Sequence, residues 1–350
     1  MHSFWDRAYA LRCYGRVGNL CTWKGRPMDV RTSLDDAAEA LIVPSFTSIG
    51  YHLRRRLYRW EPAESFSMDG RVVAITGATS GLGEVAATSF ARMGATVLLL
   101  ARNPAKAEAT RARIVAATGN EDLRVYLGDM SDLSAVRRVV AEIVAAEPAL
   151  DVLVNNAGAL LTERAVSVDG NEMTLAAMVL GPFVLTNGLL PLLRASADGR
   201  ILTVTSGGQY AQPLHTDDLQ MLHEPYRGAT AYARAKRAQV VLTRMWAAKL
   251  RGTSVVAHAM HPGWADTPGI EASLPRFRGI VGPFLRTPEQ GVDTLLWLAA
   301  APEAAASTGR LWLDRRPRSF DKIRRTRVDA AQAAALWDVC RELTGSTLSG

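Results

Sequence analysis

Val72-Val73-Ala74-Ile75-Thr76-Gly77-Ala78-Thr79-Ser80-Gly81-Leu82-Gly83 is the stretch on which the reading of this chain turns. Four apolar residues make a short buried strand, three glycines punctuate the turn after it, and the apolar helical pattern of 83–93 begins at the last of them. Glycine permits a tight turn and lets another group approach the backbone closely. A helix that starts there turns its free amides and positive end toward any anion. Glycine turns are common punctuation, so the motif gains weight from its place between a strand and a helix.

Outward from this turn the same alternation repeats. Apolar strand candidates fall at 71–76, 95–100, 123–127, 151–154, 200–205, 254–259 and 309–313. Between them lie helical stretches at 83–93, 104–117, 132–146, 173–194, 231–250 and 288–301. Short strands buried on both faces and separated by helices predict a parallel sheet covered on both sides. Right-handed crossovers then make the fold α/β and doubly wound. The chain divides into three zones: an N-terminal extension over 1–68, the α/β domain over 69–316, and a basic linker with a C-terminal helix over 317–350. Met28 offers an alternative start of translation, which would leave 1–27 upstream of the protein.

The bulk properties restrict the function. A chain of 350 residues with 48% hydrophobic residues buries a sizeable core. No uninterrupted apolar run reaches the length of a bilayer span. Cys13, Cys21 and Cys340 lack metal-ligand spacing and read as free thiols in a reducing cytoplasm. The net charge of +7 gathers in Arg54, Arg55, Arg56 and Arg59 and in the segment from Arg315 to Arg327. Such flanks read as solvated faces or as a peripheral contact with a membrane surface. No zinc-finger spacing or aromatic RNA-binding signature accompanies them, so no nucleic-acid partner is expected. The segment 41–60 mixes apolar residues, aromatics and arginines, which suits either a helix at the lipid headgroups or one docked on the protein's own surface.

The strand ends carry the polar residues. The second strand ends in Ala101-Arg102, where a carboxylate would accept from a ribose hydroxyl but an arginine suits a 2′-phosphate. Asp129 and Met130 close the third strand, with Asp129 placed to accept from an adenine amino group. Asn155-Asn156-Ala157-Gly158 closes the fourth, its small residues leaving room for a ribose. In open α/β sheets the ligand crevice lies beyond these carboxyl ends. The expected cofactor is therefore NADP(H), with NAD(H) as the alternative.

Ser206 closes the apolar run 201–205, and Tyr232 and Lys236 lie beyond it on one helix at a spacing that puts both on one face. A free phenol titrates near pH ~10, and a cation within about 4–6 Å depresses such a value by about 1–3 units. Lys236 and an oxidised nicotinamide would supply that charge. Tyr232 would then exchange a proton with a substrate oxygen held by Ser206, while hydride moves to or from the cofactor. His258 and His261 lie on a strand and its exit with no acidic cluster beside them, so no metal is expected. Residues 207–228 and 264–286 form long loops beyond the catalytic strands, which makes Gln209, Tyr210 and Trp264 candidates for substrate contact.

With these motifs in register, segment 70–265 resembles the short-chain dehydrogenase/reductase family. That family's Thr-Gly-x-x-x-Gly-x-Gly pattern falls on Thr76, Gly77, Gly81 and Gly83, and its Asn-Asn-Ala-Gly on 155–158. Its Ser, Tyr and Lys fall on Ser206, Tyr232 and Lys236, and its Pro-Gly on Pro262 and Gly263. The resemblance implies a Rossmann fold with helical N- and C-terminal extensions. It also implies a cofactor site built from Thr76, Gly77, Thr79, Ser80, Gly81, Leu82, Gly83, Arg102, Asp129, Met130, Asn156, Ala157, Gly158, Tyr232, Lys236, Pro262, Gly263 and Thr267. The substrate would be a small molecule, an apolar carbonyl compound or a secondary alcohol. Members of the family commonly pair through the Tyr-bearing helix and its predecessor, so a homo-oligomer is expected unless the flanks block that face. One position departs from the pattern: Met178 stands where the family has an Asn that anchors a proton-relaying water, and a thioether cannot donate. The alternative to an enzyme is therefore a dinucleotide-binding regulator or membrane-surface scaffold with weak turnover.

Overall fold

The strands, in chain order, are β1 (Val72–Thr76), β2 (Thr96–Ala101), β3 (Leu123–Leu127), β4 (Val152–Asn155), β5 (Gly199–Val204), β6 (Val255–Met260), β7 (Arg310–Leu313) and β8 (Arg316–Arg318). They form one sheet in the order β3-β2-β1-β4-β5-β6-β7-β8, parallel throughout except for β8, which runs antiparallel to β7. The structure, a computed structural model, describes residues 30–158, 160–266, 279 and 281–346. Its helices are α1 (Val30–Ala40), α2 (Ile42–Phe46), α3 (Ser48–Tyr58), α4 (Gly81–Arg92), α5 (Pro104–Thr118), α6 (Leu133–Ala146), α7 (Met173–Leu175), α8 (Gly181–Ala195), α9 (Gly228–Lys249), α10 (Pro288–Ala300), α11 (Pro302–Ala305) and α12 (Ala330–Thr344).

The two-residue side-chain period of a strand makes the two faces of the sheet. Val73, Ile75, Val97 and Leu99 face one core with Phe90 of α4 and Leu295 of α10. Ala74, Leu98 and Leu100 face the other with Val139 of α6, Phe183 of α8 and Trp246 of α9. The doubly wound expectation therefore holds, strand by strand and helix by helix. Winding reverses between β1 and its neighbour β4, which opens a crevice at the carboxyl ends of these strands.

Three expectations from sequence change. Residues Met173–Ala195 are long and apolar enough to cross a bilayer, yet α8 lies inside the core between α6 and α9, so this is a buried helix of the domain. The boundary at 316/317 falls inside β8. There β7 and β8 make a two-residue hairpin whose central residues, Asp314 and Arg315, have φ of 54° and 52°. Such a turn ordinarily takes Asn-Gly or Asp-Gly, so its sequence carries no recognisable signal.

The third change concerns the basic flanks. Arg54, Arg315 and Arg318 do not form a solvated face; they turn inward and meet acids from distant segments. Arg54 pairs with Asp35 and Asp314, both at 2.6 Å, Arg315 with Asp293 at 2.6 Å, and Arg318 with Asp35 at 2.9 Å. A buried guanidinium needs paired charge and satisfied donors, and α1 supplies Asp35 and Glu39 for that purpose. The N-terminal helices are thus docked on the domain beside the hairpin. At the other end, α12 packs Ala333, Leu336, Trp337 and Cys340 into the core against Phe183 and Trp246.

Candidate active site

The glycine turn is built as its sequence predicts. Gly77 and Gly81 have φ of 68° and 53°, which L side chains rarely adopt. A Cβ on Gly83 would lie 2.1 Å from the Gly77 carbonyl oxygen and 2.6 Å from Asn156 Nδ2, so only glycine fits there. Asn156 Nδ2 donates to the Thr76 carbonyl at 2.9 Å, and Thr76 Oγ1 accepts from the amides of Asn156 and Ala157, both at 2.9 Å. These bonds lock the β1 and β4 ends together. Ser80 begins α4 without a side-chain cap, so the first amides of that helix stay open to an anion. Thr79 and Leu82 are half-buried and Ser80 is exposed. A dinucleotide pyrophosphate fits this cradle.

Beside it, the Arg102 side chain is 77% exposed at the end of β2 and lies 4.0 Å from Asp129. Asp129 Oδ1 already accepts from the Ser131 amide and hydroxyl, at 2.9 and 2.8 Å. The Met130 side chain is buried in the core, which leaves only its main chain for cofactor contact. Thr267 lies outside the described residues.

The catalytic candidates converge at the junction of β5 and α9. Ser206 caps the short turn Gly207–Ala211, its Oγ accepting from the Gly208 amide at 3.2 Å. Lys236 Nζ donates to the Val204 carbonyl at 2.7 Å and lies 5.5 Å from the centre of the Tyr232 ring. Thr205 Oγ1 donates to the Lys236 carbonyl at 3.0 Å, which fixes α9 to the strand end. Burial draws the Lys236 ammonium down to about 7. Burial also raises the Tyr232 phenol, and the Ser206 hydroxyl bonded to it offsets this only in part. In the chain alone the phenol is therefore raised rather than depressed, because burial outweighs the Ser206 bond.

Gly158 sits between Lys236 and Met178. A Cβ there would stand 3.7 Å from Lys236 Nζ, 3.4 Å from Met178 Cε and 3.6 Å from its Sδ. Residues Ala176–Leu180 make a π-helical turn between α7 and α8. The carbonyl of Met178 in that turn accepts from Gln239 Nε2 at 2.6 Å. Sequence reasoning missed Gln239, which stands three residues after Lys236 and gave no signal without its spatial partner.

Two substrate candidates are corrected. Gln209 is fully buried and accepts from Arg237 at 2.8 Å, while the Tyr210 hydroxyl donates to the Ser319 carbonyl at 3.0 Å. Gln209 Nε2 also donates to the Phe320 carbonyl at 3.4 Å, so both residues anchor the segment after β8 and neither is free to meet a substrate. Trp264 is half-buried, its ring 5.8 Å from that of Phe46. Pro262 and Gly263 come after β6 at the crevice, with Gly263 at φ 73°. His261 Nδ1 accepts from the Gly263 amide at 3.3 Å and braces this turn. His258 is likewise satisfied, Nε2 bonding the Ala304 carbonyl at 3.1 Å and Nδ1 accepting from Trp312 Nε1 at 3.0 Å. Among the described residues no three His, Cys, Asp or Glu gather as a metal site.

Comparison with known proteins identifies the family. Residues 71–275 match the family model described as short chain dehydrogenase. Dehydrogenase/reductase SDR family member 12 from Homo sapiens is 43% identical over 250 residues, covering 71% of this chain and 78% of that protein. Retinol dehydrogenase 14 from Homo sapiens is 34% identical, covering 79% of this chain and 87% of that one. Among solved structures, a short chain dehydrogenase from Shigella flexneri complexed with NADP superposes with a TM-score of 0.58 at 25% identity, covering 71% of this chain and 98% of that one.

Proposed function

This chain belongs to the short-chain dehydrogenase/reductase family of NAD(P)-dependent oxidoreductases acting on CH–OH groups, and from that premise we propose that it uses NADP(H) to interconvert an apolar carbonyl and its secondary alcohol. The observation that carries the reading is the shared position of Ser206, Tyr232 and Lys236 at the β5/α9 junction, on the same rim of the sheet as the open α4 terminus. When bound, the nicotinamide supplies or takes up the hydride. Ser206 holds the substrate oxygen. Tyr232 passes it a proton in reduction, for which the neutral phenol favoured by burial is the right form. Lys236 sits near its charge change at neutral pH, and an anionic cofactor beside it favours the ammonium that would stabilise the phenolate left behind.

Exposed Arg102 supports the preference for the 2′-phosphate. Half-buried Trp264 and the apolar alcohol in the name of the retinol dehydrogenase relative support an apolar substrate. The test is NADPH oxidation with a panel of aldehydes and ketones. Wild-type turnover should fall sharply in Tyr232→Phe and Lys236→Ala; equal rates in all three proteins defeat the assignment.

Met178, with its carbonyl taken by Gln239, favours the second reading of a cofactor-binding regulator with weak turnover. Met178→Asn separates the two, since a large gain in rate means atypical catalysis and none in either form means the regulator. The assembly and location belong to the same proposal. The chain is assigned as a monomer, because α12 covers Phe183 and Trp246 on the two helices through which the family pairs. It is placed in the cytoplasm, peripheral to an anionic membrane surface. There Leu41, Ile42, Val43, Ile49 and Leu53 stand exposed, with Arg55, Arg56 and Arg59 exposed alongside them.

A further inference from the structure

The end of α2 reaches the floor of the candidate active site. We propose that Phe46 is a positioning residue: it sets the spacing between the Ser206-Gly207 turn and the Pro262-Gly263-Trp264 turn, so that the N-terminal extension is part of the catalytic apparatus. The proposal rests on the reductase reading above and deepens it.

Both turns are shaped around this one residue. A Cβ on Gly207 would lie 2.6 Å from Phe46 Cε2, so the residue after Ser206 is glycine where the aromatic edge presses on it. On the other side the Phe46 ring meets His261 edge-on, centres 4.6 Å apart, and Trp264 at 5.8 Å. Its carbonyl accepts from the Trp264 amide at 2.7 Å. A Cβ on Gly263 would stand 2.6 Å from that same carbonyl oxygen. Phe46 is only 3% exposed, so the ring is a wedge between the two strand exits and has little room to move.

The wedge is itself held from behind. Arg286 Nε donates to the carbonyls of Phe46 and Thr47, at 3.0 and 3.2 Å, and its NH2 group donates to that of Ser45 at 2.9 Å. Arg54 adds a bond to the Ser45 carbonyl at 3.1 Å. These carbonyls form the C-terminal end of α2, which attracts cations. Asp314 neutralises both guanidiniums from the strained hairpin turn. Arg286 also closes the loop that leaves Trp264: its amide donates to the Trp264 carbonyl and its own carbonyl accepts from the Asp266 amide, both at 2.8 Å. The two ends of the 264–286 loop are therefore tied to each other and to α2. A shift of about 1 Å in such a wall costs up to about a hundredfold in rate when it moves reacting groups.

The experiment compares wild type, Phe46→Ala, Phe46→Leu, Gly207→Ala and Phe46→Ala/Gly207→Ala, with Tyr232→Phe as the chemical control. Three quantities are read: kcat for NADPH oxidation with a carbonyl, NADPH affinity by fluorescence, and deuterium exchange over 262–266 and 284–287. Phe46→Ala and Gly207→Ala should each lower kcat about tenfold or more, with a smaller loss of NADPH affinity confined to Phe46→Ala, whose loosened turn includes Pro262 and Gly263. The double variant should be no worse than Phe46→Ala, because the added methyl then has no ring to strike. Exchange over both segments should rise in Phe46→Ala, and Phe46→Leu guards against simple unfolding by keeping most of the buried volume. The proposal is overturned by a kcat within about twofold of wild type while Tyr232→Phe is inactive, or by losses that multiply in the double variant. If wild type and Tyr232→Phe turn over equally, the reductase reading fails. The exchange data then decide alone, and unchanged exchange in Phe46→Ala overturns the positioning role.

Discussion

Replacing Asp314 with Asn tests how the N-terminal helices are held. The wild-type carboxylate accepts from Arg286 through both oxygens, at 2.5 and 2.9 Å, and from Arg54 at 2.6 Å, with all three side chains no more than 1% exposed. Asn leaves one accepting oxygen and sets an amide NH2 against a guanidinium donor. Arg54 keeps Asp35 and Glu39, whereas among the described residues Arg286 loses its paired carboxylate and keeps the neutral carbonyls of Ser45, Phe46 and Thr47 and the face of the Tyr51 ring. Breaking a buried pair in this way costs about 3–5 kcal/mol, because the surviving charge is uncompensated. Unfolding entropy of about 2.1 cal/mol/K per residue makes each kcal/mol worth roughly 1.4 °C in a chain of this length. The expected fall in Tm at pH 7 is therefore about 4–7 °C, read by circular dichroism.

Acid supplies an independent check on the same pair. Burial alone would raise the Asp314 carboxyl, but Arg286 and Arg54 outweigh it and hold it below its ordinary 3.8. A carboxyl depressed in the folded state gives stability that is present above its unfolded value and lost as pH falls through the folded one. The gap between wild type and Asp314→Asn should thus be full above pH 3.8 and narrow below it. Asp35 and Glu39 are depressed in the same sense, but they remain in both proteins and cancel in the difference. A Tm within about 1.5 °C of wild type at pH 7 refutes the argument, since that is only about 1 kcal/mol. A gap that stays constant on acidification refutes it too. Replacing Asp314 and Arg286 together with apolar residues of similar volume should cost less than removing the acid alone.

Arg102→Ala should weaken NADPH binding by about tenfold, as loss of one charge-assisted contact implies, and leave NADH binding unchanged, measured by fluorescence titration. Gly83→Ala should abolish binding of both, because its Cβ would strike the Gly77 carbonyl at 2.1 Å; retained affinity would mean that the α4 cradle does not hold the cofactor. Lys236 is drawn down to about 7 in the folded chain while its ordinary value is 10.5, so the unfolded chain holds more protons between those limits. Cofactor-free wild type should therefore gain stability relative to Lys236→Met as pH rises through that window, by at most about 1.4 kcal/mol per unit; a flat difference in Tm from pH 7 upward counts against a buried, neutralised amine. Vesicles containing phosphatidylserine should float wild type but not Leu41→Asp/Ile42→Asp/Val43→Asp, and equal flotation would remove the membrane contact.

The sheet was legible because each strand is a short apolar run and each crossover a helix, so the seven parallel strands fall within a residue or two of expectation. The glycine turn was legible for a local reason: Gly77, Gly81 and Gly83 act through φ and close approach, which only glycine supplies. The Ser206, Tyr232 and Lys236 group was legible because two of its members share one helix face. Gln209 and Tyr210 misled for the opposite reason. A loop position says nothing about which distant segment will claim its polar atoms, and Ser319 and Arg237 claim these.

The basic flanks show where composition misleads most. Counted along the chain, Arg54 and Arg315 add to a positive surface; in the fold each is an internal counter-ion to an acid from another segment. Their placement depends on Asp314 and Arg315 standing at positive φ in a hairpin without glycine, a conformation that costs of order 1–2 kcal/mol per residue. The ion pairs with Arg54, Arg286 and Asp293 offset that strain, and the hairpin in its turn sets Asp314 against the two arginines that hold the end of α2. The strain and the pairing depend on each other, so neither appears in any short window of sequence. Phe46 reaches Ser206-Gly207 only because this cluster fixes the end of α2. An extension that reads as an appendage therefore becomes a wall of the active site through charges that look, in sequence, like surface.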